Sequence, residues 1–112
     1  MNREEMAKVM EEIFQQMQFL RDAGQADYAH KDSNAFANFE RVGERLNIPR
    51  EKVALVYLEK HVDAIHAYAN GHRSTREDVR GRILDIMVYL CLIYGMVEEN
   101  EGKLEIIKEP IR

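Results

Sequence analysis

The chain has 112 residues, of which 46% are hydrophobic and 32% are charged, and its formal net charge at pH 7 is −4. A chain of this length forms about one domain, and its acidic balance argues against a general nucleic-acid-binding protein, which is usually basic. The N-terminal residues carry charges of both signs without an apolar segment, so we expect no signal peptide. No apolar run is long enough to span a bilayer. The composition therefore predicts a single-domain cytoplasmic protein over residues 1–112 that does not enter a membrane.

Hydrophobic residues at helical spacing predict a first helix from about Asn2 to Ala23. Gly24 is expected to end this helix, and a polar loop is expected to follow it. A second helix is expected to begin near Asp32 or Ser33, because either side chain can cap the N-terminus of a helix.

The third predicted helix has Pro49 at its first position and ends at about residues 70–71. The fourth opens with a capping box formed by Ser74 and Glu77 and continues to about Glu99. Its middle is apolar on every side, so we expect other helices to surround it, and three companions hardly cover it. The predicted fold is an all-α four-helix bundle that forms a homo-oligomer, a dimer or a tetramer, with a short extended C-terminal arm over residues 100–112.

Two charged residues lie in apolar surroundings on the third and fourth predicted helices. Asp85 lies within RILDIMVYLCLIYGMV, the most apolar stretch of the chain. Burying an unpaired carboxylate costs several kcal/mol, so this side chain is paired, turned toward a cavity, or functional. Lys60 falls within an apolar face of the third helix, with His61 at the edge of that face. Lys60 either extends its ammonium group into water or pairs with Asp85 or with an anionic ligand.

A polar stripe runs along the fourth predicted helix, because Asp78, Arg82, Asp85 and Tyr89 follow one another at three- or four-residue spacing. The stripe is either a structural ladder of ion pairs, Asp78–Arg82–Asp85, or a surface that faces a ligand. Basic side chains also cluster around the start of this helix, where guanidinium groups and backbone N–H groups could bind a phosphate; the alternative is a solvated charged surface. These basic residues are His72, Arg73, Arg76, Arg80 and Arg82.

The segments DYAHKDSNAFANF, YLEKHVDAI and DIMVYL together resemble small phage and prophage helical proteins. These proteins look like relatives of the nucleotide-modification-associated domains, which are similar to the all-α (MazG-like) nucleoside triphosphate pyrophosphatases. The resemblance covers roughly residues 27–98 and is carried by Asp27, Tyr28, Asn38, Phe39, Lys60, Asp85 and Tyr89. It implies a helical bundle that assembles into dimers or tetramers and binds a nucleotide between helices, in a bacterial host if the protein is phage-encoded.

We therefore expect a polar cleft between the third and fourth helices. Its candidate ligand-binding residues are Asp27, Tyr28, Asn38, Lys60, His61, Arg82, Asp85 and Tyr89. The pyrophosphatases that the chain resembles bind magnesium through an E-x-x-E and an E-x-x-D pattern. Here Arg82 stands where the second pattern has a glutamate, and Val62 stands at the E-x-x-E spacing.

The sequence leaves open whether the protein is an enzyme. If it is, the implied reaction is Mg²⁺-dependent pyrophosphohydrolysis of a nucleoside triphosphate, with Glu59, Asp63 and Asp85 as candidate metal ligands. If it is not, Lys60 and the arginines would hold the phosphates of a bound nucleotide. A hypothesis from another class is a non-enzymatic interaction protein, in which Asp85 and Lys60 form a buried pair and the apolar fourth helix forms an oligomer interface.

Overall fold

A computed structural model describes residues 1–28, without the side chains of residues 23–28, and residues 34–104. This part of the chain is all-helical and contains no β-strand, which confirms the predicted all-α class. The four helices are α1 (Arg3–Tyr28), α2 (Ala37–Leu46), α3 (Arg50–Ala69) and α4 (Val79–Glu101).

α1 is longer than predicted, because it continues through Gly24 to Tyr28 instead of ending near Ala23. A single glycine inside a helix costs only about 1 kcal/mol relative to alanine, and the residues around it, mostly alanine and glutamine, favour helix. The side chains that α1 turns toward the fold recur every fourth residue and are half-buried. They are Val9, Ile13, Met17 and Arg21.

α2 begins at Ala37, later than the predicted start near Asp32 or Ser33, two residues that lie outside the described part of the chain. The chain enters α2 through a turn that Asn34 stabilises. Its Oδ1 accepts a hydrogen bond from the backbone N–H of Phe36 at 3.0 Å, and its Nδ2 donates to Glu40 at 2.8 Å.

The ends of α3 and α4 test the predicted capping residues. Pro49 precedes α3 as its N-cap and is not its first residue, while the predicted C-terminal end is confirmed because α3 stops at Ala69. The predicted capping box is wrong: the hydroxyl of Ser74 accepts the N–H of Glu77 at 3.3 Å, but this bond closes a turn ahead of the helix. Asp78 caps α4 instead, since its Oδ1 accepts the N–H of Arg80 at 2.9 Å.

The core lies where α3 packs against α2 on one side and α4 on the other, and α1 packs along α4. The largest contiguous cluster of buried apolar side chains in the described residues is small, and it consists of Phe36, Phe39, Val53, Ala54 and Met96. None of the helices in the described residues is both long and apolar enough to cross a bilayer. The predicted C-terminal arm falls mostly beyond Leu104, outside the described residues.

Arg50 connects three helices at one end of the core. Its guanidinium group donates to Glu99 at 2.7 Å and to the carbonyl of Met96 at 3.2 Å, both on α4. It also lies 3.5 Å from the carboxylate of Glu40 on α2 and stacks over the Phe36 ring at 5.1 Å. The hydrogen bond to Glu99, opposed by burial, contributes most to a pKa of Arg50 that is raised above its ordinary value.

Candidate functional site

The candidate site is centred on His61, a buried polar side chain of α3 that is 5% exposed. Its Nδ1 lies 3.1 Å from a guanidinium nitrogen of Arg82 and 3.7 Å from the Oδ2 of Asp85, both on α4. A guanidinium group can only donate hydrogen bonds, so Nδ1 must accept this one and the ring proton must sit on Nε2. The contact with Arg82 therefore selects the neutral imidazole.

Burial and the neighbouring charges act on His61 in different directions. Burial is the main cause of a pKa of His61 that lies below its ordinary value of 6.5, and the positive charges of Arg82 and Lys60 lower this pKa further. The negative charges of Asp85 and Glu77 raise it but do not compensate. If His61 gained a proton, it would lose Arg82 as a donor and would be attracted more strongly to Asp85.

Arg82 links His61 to the segment that precedes α4, because it also forms an ion pair with Glu77. Asp78 pairs with Arg80, which donates to its Oδ2 at 2.6 Å, and these hydrogen bonds lower the pKa of Asp78 to about 2. The predicted ladder Asp78–Arg82–Asp85 is therefore wrong. The rotation of α4 places Arg82 between α3 and the preceding turn, and not along the helix surface.

Aromatic rings cover the inner side of this polar group. The Tyr89 ring lies 5.8 Å from the His61 ring and 6.4 Å from the Tyr57 ring, and its edge meets Phe39 at 6.3 Å. These rings exclude water from one side of the imidazole, which is why burial dominates its pKa. The outer side is less enclosed, since the carboxylate side chain of Asp85 is 41% exposed.

A cavity of about 330 Å³ opens beside the site, between the C-terminal end of α3 and the start of α4. The Tyr68 ring forms one wall of the cavity. The guanidinium group of Arg73 stacks on this ring, with its carbon 4.0 Å from the ring centroid, and it donates a hydrogen bond to the Tyr68 carbonyl at 3.0 Å. Arg82 reaches the cavity from the opposite side, paired with Glu77. The cavity thus contains two guanidinium groups, each of which already has partners within the chain.

The structure brings four of the predicted ligand-binding residues together. His61, Arg82, Asp85 and Tyr89 form one cluster between α3 and α4, so Asp85 lies between these helices as predicted. Of the two alternatives for Lys60, its exposure favours the one in which the ammonium group extends into water, and pairing with Asp85 is wrong. Lys60 and His61 are consecutive on α3, so their side chains point about 100° apart around the helix axis. His61 faces α4, and Lys60 does not.

Of the remaining predicted ligand-binding residues, Asn38 does not join the cluster. Asn38 is half-buried on α2, but it is the neighbouring Phe39 that reaches Tyr89. Asp27 and Tyr28 lie at the C-terminal end of α1, and their side chains are outside the described residues.

The candidate metal ligands are not gathered at one point. Glu59 and Asp63 are exposed on α3, while Asp85 turns toward His61. Across residues 1–28 and 34–104, no group of three His, Cys, Asp or Glu side chains is close enough to hold a metal ion.

Two residues of the site were missed by the sequence analysis. Tyr57 stands four residues before His61 and therefore on the same side of α3, where its ring lies 6.4 Å from the ring of Tyr89. Glu77 was assigned to a capping box, where its carboxylate would face the backbone, whereas it pairs with Arg82. No signal in the sequence separates these two roles of the glutamate.

Comparisons with models of known protein families, with curated proteins and with solved structures find no match to this chain. We therefore infer function from the contacts, charges and exposed surface of the chain itself.

Proposed function

We propose that this chain is a helical interaction protein that works as a homo-oligomer, with α4 as the interface. The observation that carries the proposal is a side of α4 that none of the other helices in the described residues covers. Ile83, Leu90, Tyr94 and Val97 lie on this side, and each is between 38% and 55% exposed. Monomeric proteins rarely expose a contiguous apolar stripe of this length, which is typical of an interaction surface.

The small core supports this proposal. The buried apolar cluster of the described residues contains only Phe36, Phe39, Val53, Ala54 and Met96. A chain with so small a core gains much of its stability by burying apolar surface against a partner.

α1 offers a second apolar stripe that could extend the assembly beyond a dimer. Met6, Met10 and Phe14 follow one another at four-residue spacing and are all exposed. They lie beside the half-buried face that packs on α4, so a partner could contact both helices. The proposed assembly is a dimer through α4, or a tetramer if the α1 stripe is also covered.

Thermal unfolding at several protein concentrations tests this proposal, because the midpoint of an oligomer rises with concentration. We expect such a rise for the wild-type chain and for Leu46→Glu, a control at an equally apolar and exposed position at the end of α2. Leu90→Glu is expected to abolish the dependence by placing a charge in the interface. A wild-type midpoint that does not change with concentration would contradict the proposal.

A second candidate function is binding of a nucleotide or another phosphorylated small molecule between α3 and α4. The specific observation in its favour is that Arg82 joins the His61 cluster to a cavity of about 330 Å³ that Arg73 also lines. Glu77 lies in the turn before α4 and is exposed, so a phosphate could replace its carboxylate on Arg82. Tyr68 would offer its ring to a base once Arg73 moves.

Thermal shift with a panel of nucleotides, each with and without Mg²⁺, tests this second function. A bound ligand at about a hundred times its dissociation constant raises stability by about 2.7 kcal/mol. A shift that needs Mg²⁺ would support the enzymatic version, in which phosphate oxygens and water supply most of the ligands of the ion. A shift without Mg²⁺ would support a binding protein, and no shift in any condition would contradict both versions.

A further inference from the structure

The exposed side of α4 has the spacing of a coiled-coil seam. Ile83, Met87, Leu90, Tyr94 and Val97 follow one another at alternating intervals of four and three residues. This is the repeat by which one helix packs along another at a shallow crossing angle. We call these five residues the α4 seam.

Neither α3 nor α1 occupies the α4 seam. Tyr89, Ile93 and Met96 face the core formed with α2 and α3. Leu84, Val88 and Cys91 lie on the α1 side of the helix. At 100° per residue, the seam falls on the third side, about 120° from each of the other two.

The seam contains no charged side chain, so its occupant must be apolar along a matching length. A standard stable interface buries about 800 Å² on each partner. Reaching this area requires contact along the whole seam, which runs about 21 Å along α4 from Ile83 to Val97. A second helix of equal length and apolarity meets these requirements, and α4 of another copy is such a helix.

The charges at the two ends of α4 determine the direction of pairing. Residues 73–82, at its start, carry four arginines against Glu77 and Asp78, a net charge of +2, whereas residues 98–101, at its end, carry three glutamates, a net charge of −3. The side chain of Arg80 is 83% exposed and can reach a neighbour. Parallel helices would place like charges together, while antiparallel helices place the basic end beside the acidic end and also oppose their dipoles favourably.

We propose that a second copy of this chain covers the α4 seam, with the two α4 helices packed antiparallel about a two-fold axis near Leu90. This inference rests on the proposed homo-oligomer and adds the identity of the paired surface and its direction. The symmetry makes the interface self-complementary, so the same stripe serves both copies and the dimer closes.

Disulfide cross-linking tests the direction of pairing. Cys91 is exposed, so every variant is built on Cys91→Ser. Ile83→Cys and Val97→Cys chains with different mass tags are mixed in equal amounts and oxidised. In the antiparallel dimer, disulfides between Ile83→Cys and Val97→Cys chains should exceed those between identical chains several-fold. Leu46→Cys, exposed but away from the seam, controls for random collision and should give no excess in any combination.

The alternative outcomes separate the two proposals. A predominance of disulfides between identical chains would show that the seam is covered but that the helices are parallel, which overturns this inference and leaves the homo-oligomer intact. A dimeric mass without cross-links in any seam variant would place the interface elsewhere and also overturn the inference. A monomeric mass for the Cys91→Ser parent and for wild type would overturn the homo-oligomer itself.

A charge-reversal pair gives an independent readout that does not depend on cysteine chemistry. Arg80→Glu and Glu101→Lys should each weaken the dimer about two- to thirtyfold, since each exposed contact occurs twice in a symmetric dimer. Combining both reversals in one chain should restore most of the affinity. Failure of the double variant to recover, with each single variant weakened, would overturn the antiparallel arrangement.

Discussion

The Oδ2 of Asp85 lies 3.7 Å from the Nδ1 of the buried His61. Because Nδ1 carries no proton while it accepts the hydrogen bond from Arg82, this contact is not a hydrogen bond. A carboxylate can lie within the most apolar stretch of the chain because its side chain is 41% exposed to water. Asp85 turns toward a titratable ring on the neighbouring helix, and its side chain keeps partial access to water. The imidazole in turn accepts a hydrogen bond from Arg82, so the pair lies in a small polar group between α3 and α4.

The first prediction concerns the pH dependence of stability. The pKa of His61 is lowered mainly by burial, so below pH 6.5 the unfolded chain binds more protons than the folded chain. The contribution of His61 is therefore complete above its ordinary pKa and is lost as pH falls through its folded pKa.

Chemical denaturation between about pH 7.5 and about pH 5.5 measures this contribution. We expect the free energy of unfolding to fall with pH more steeply in wild type than in His61→Gln, which removes the titrating group. His66→Gln, an exposed change on the same helix, serves as the control and should retain the wild-type slope. Equal slopes for His61→Gln and wild type would contradict the account.

The second prediction separates the charges around His61. Asp85 raises the pKa of His61 and Arg82 lowers it. Titration of the ring by NMR should therefore give a lower pKa in Asp85→Asn and a higher pKa in Arg82→Gln than in wild type. Because the Asp85 side chain is more than one-third exposed, Asp85→Asn should change stability at neutral pH by less than about 1 kcal/mol. Shifts of the same sign in both variants would be inconsistent with this geometry.

The third prediction compares two glycines. A Cβ added at the buried Gly43 would lie 2.8 Å from the carbonyl oxygen of Ile48, a backbone atom that cannot move without shifting the start of α3. Gly43→Ala should therefore lower the free energy of unfolding by about 1–3 kcal/mol. Gly81, inside α4, has nothing within 4 Å of an added Cβ, so Gly81→Ala should raise stability by about 0.5–1 kcal/mol.

Urea denaturation of the two alanine variants checks this pair. The same substitution is made at both sites, so the opposite signs isolate the effect of the local space. A stabilised Gly43→Ala protein would show that the turn between α2 and α3 is less closely packed than described.

The fourth prediction concerns Arg50, which joins α2 and α4 to the start of α3 through Glu40, Glu99 and the Met96 carbonyl. Arg50→Met keeps most of the stem but leaves these acceptors without the guanidinium donors, and should cost about 2–4 kcal/mol. Arg50→Lys should recover only part of this loss, because a single ammonium cannot replace the planar fork. Full recovery by lysine in thermal or urea unfolding would argue against the role of the fork.

The existence of the four helices and several of their ends followed from the sequence, because apolar spacing and turn residues act locally. Asn70 marked the end of α3 correctly. The capping box did not mark the start of α4, since Ser74 accepts the predicted backbone donor inside a turn while Asp78 caps the helix itself. A serine hydroxyl can accept the backbone N–H three residues later both in an isolated turn and at the start of a helix. The sequence pattern alone therefore does not distinguish these two structures.

Which residues meet in the candidate site depends on how each helix is rotated about its axis relative to the neighbouring helix. A local sequence pattern does not determine this rotation. Lys60 and His61 are adjacent in the sequence and differ by about 100° around α3. This rotation decides that His61 meets Asp85 while Lys60 faces water. The acidic partner of Arg82 could not be predicted either, because Glu77, Asp78 and Asp85 all lie near it in the sequence.

The measurement that most directly tests the central proposal is the molar mass of the wild-type chain by sedimentation velocity at micromolar concentration. We expect a mass of at least twice the 13.1 kDa of one chain, with Leu46→Glu unchanged. We expect Leu90→Glu to return to the mass of one chain, since a buried charge in the α4 seam should weaken association at least about a hundredfold. A wild-type protein that sediments as a single 13.1 kDa chain at all concentrations would contradict the claim that α4 is covered by another copy.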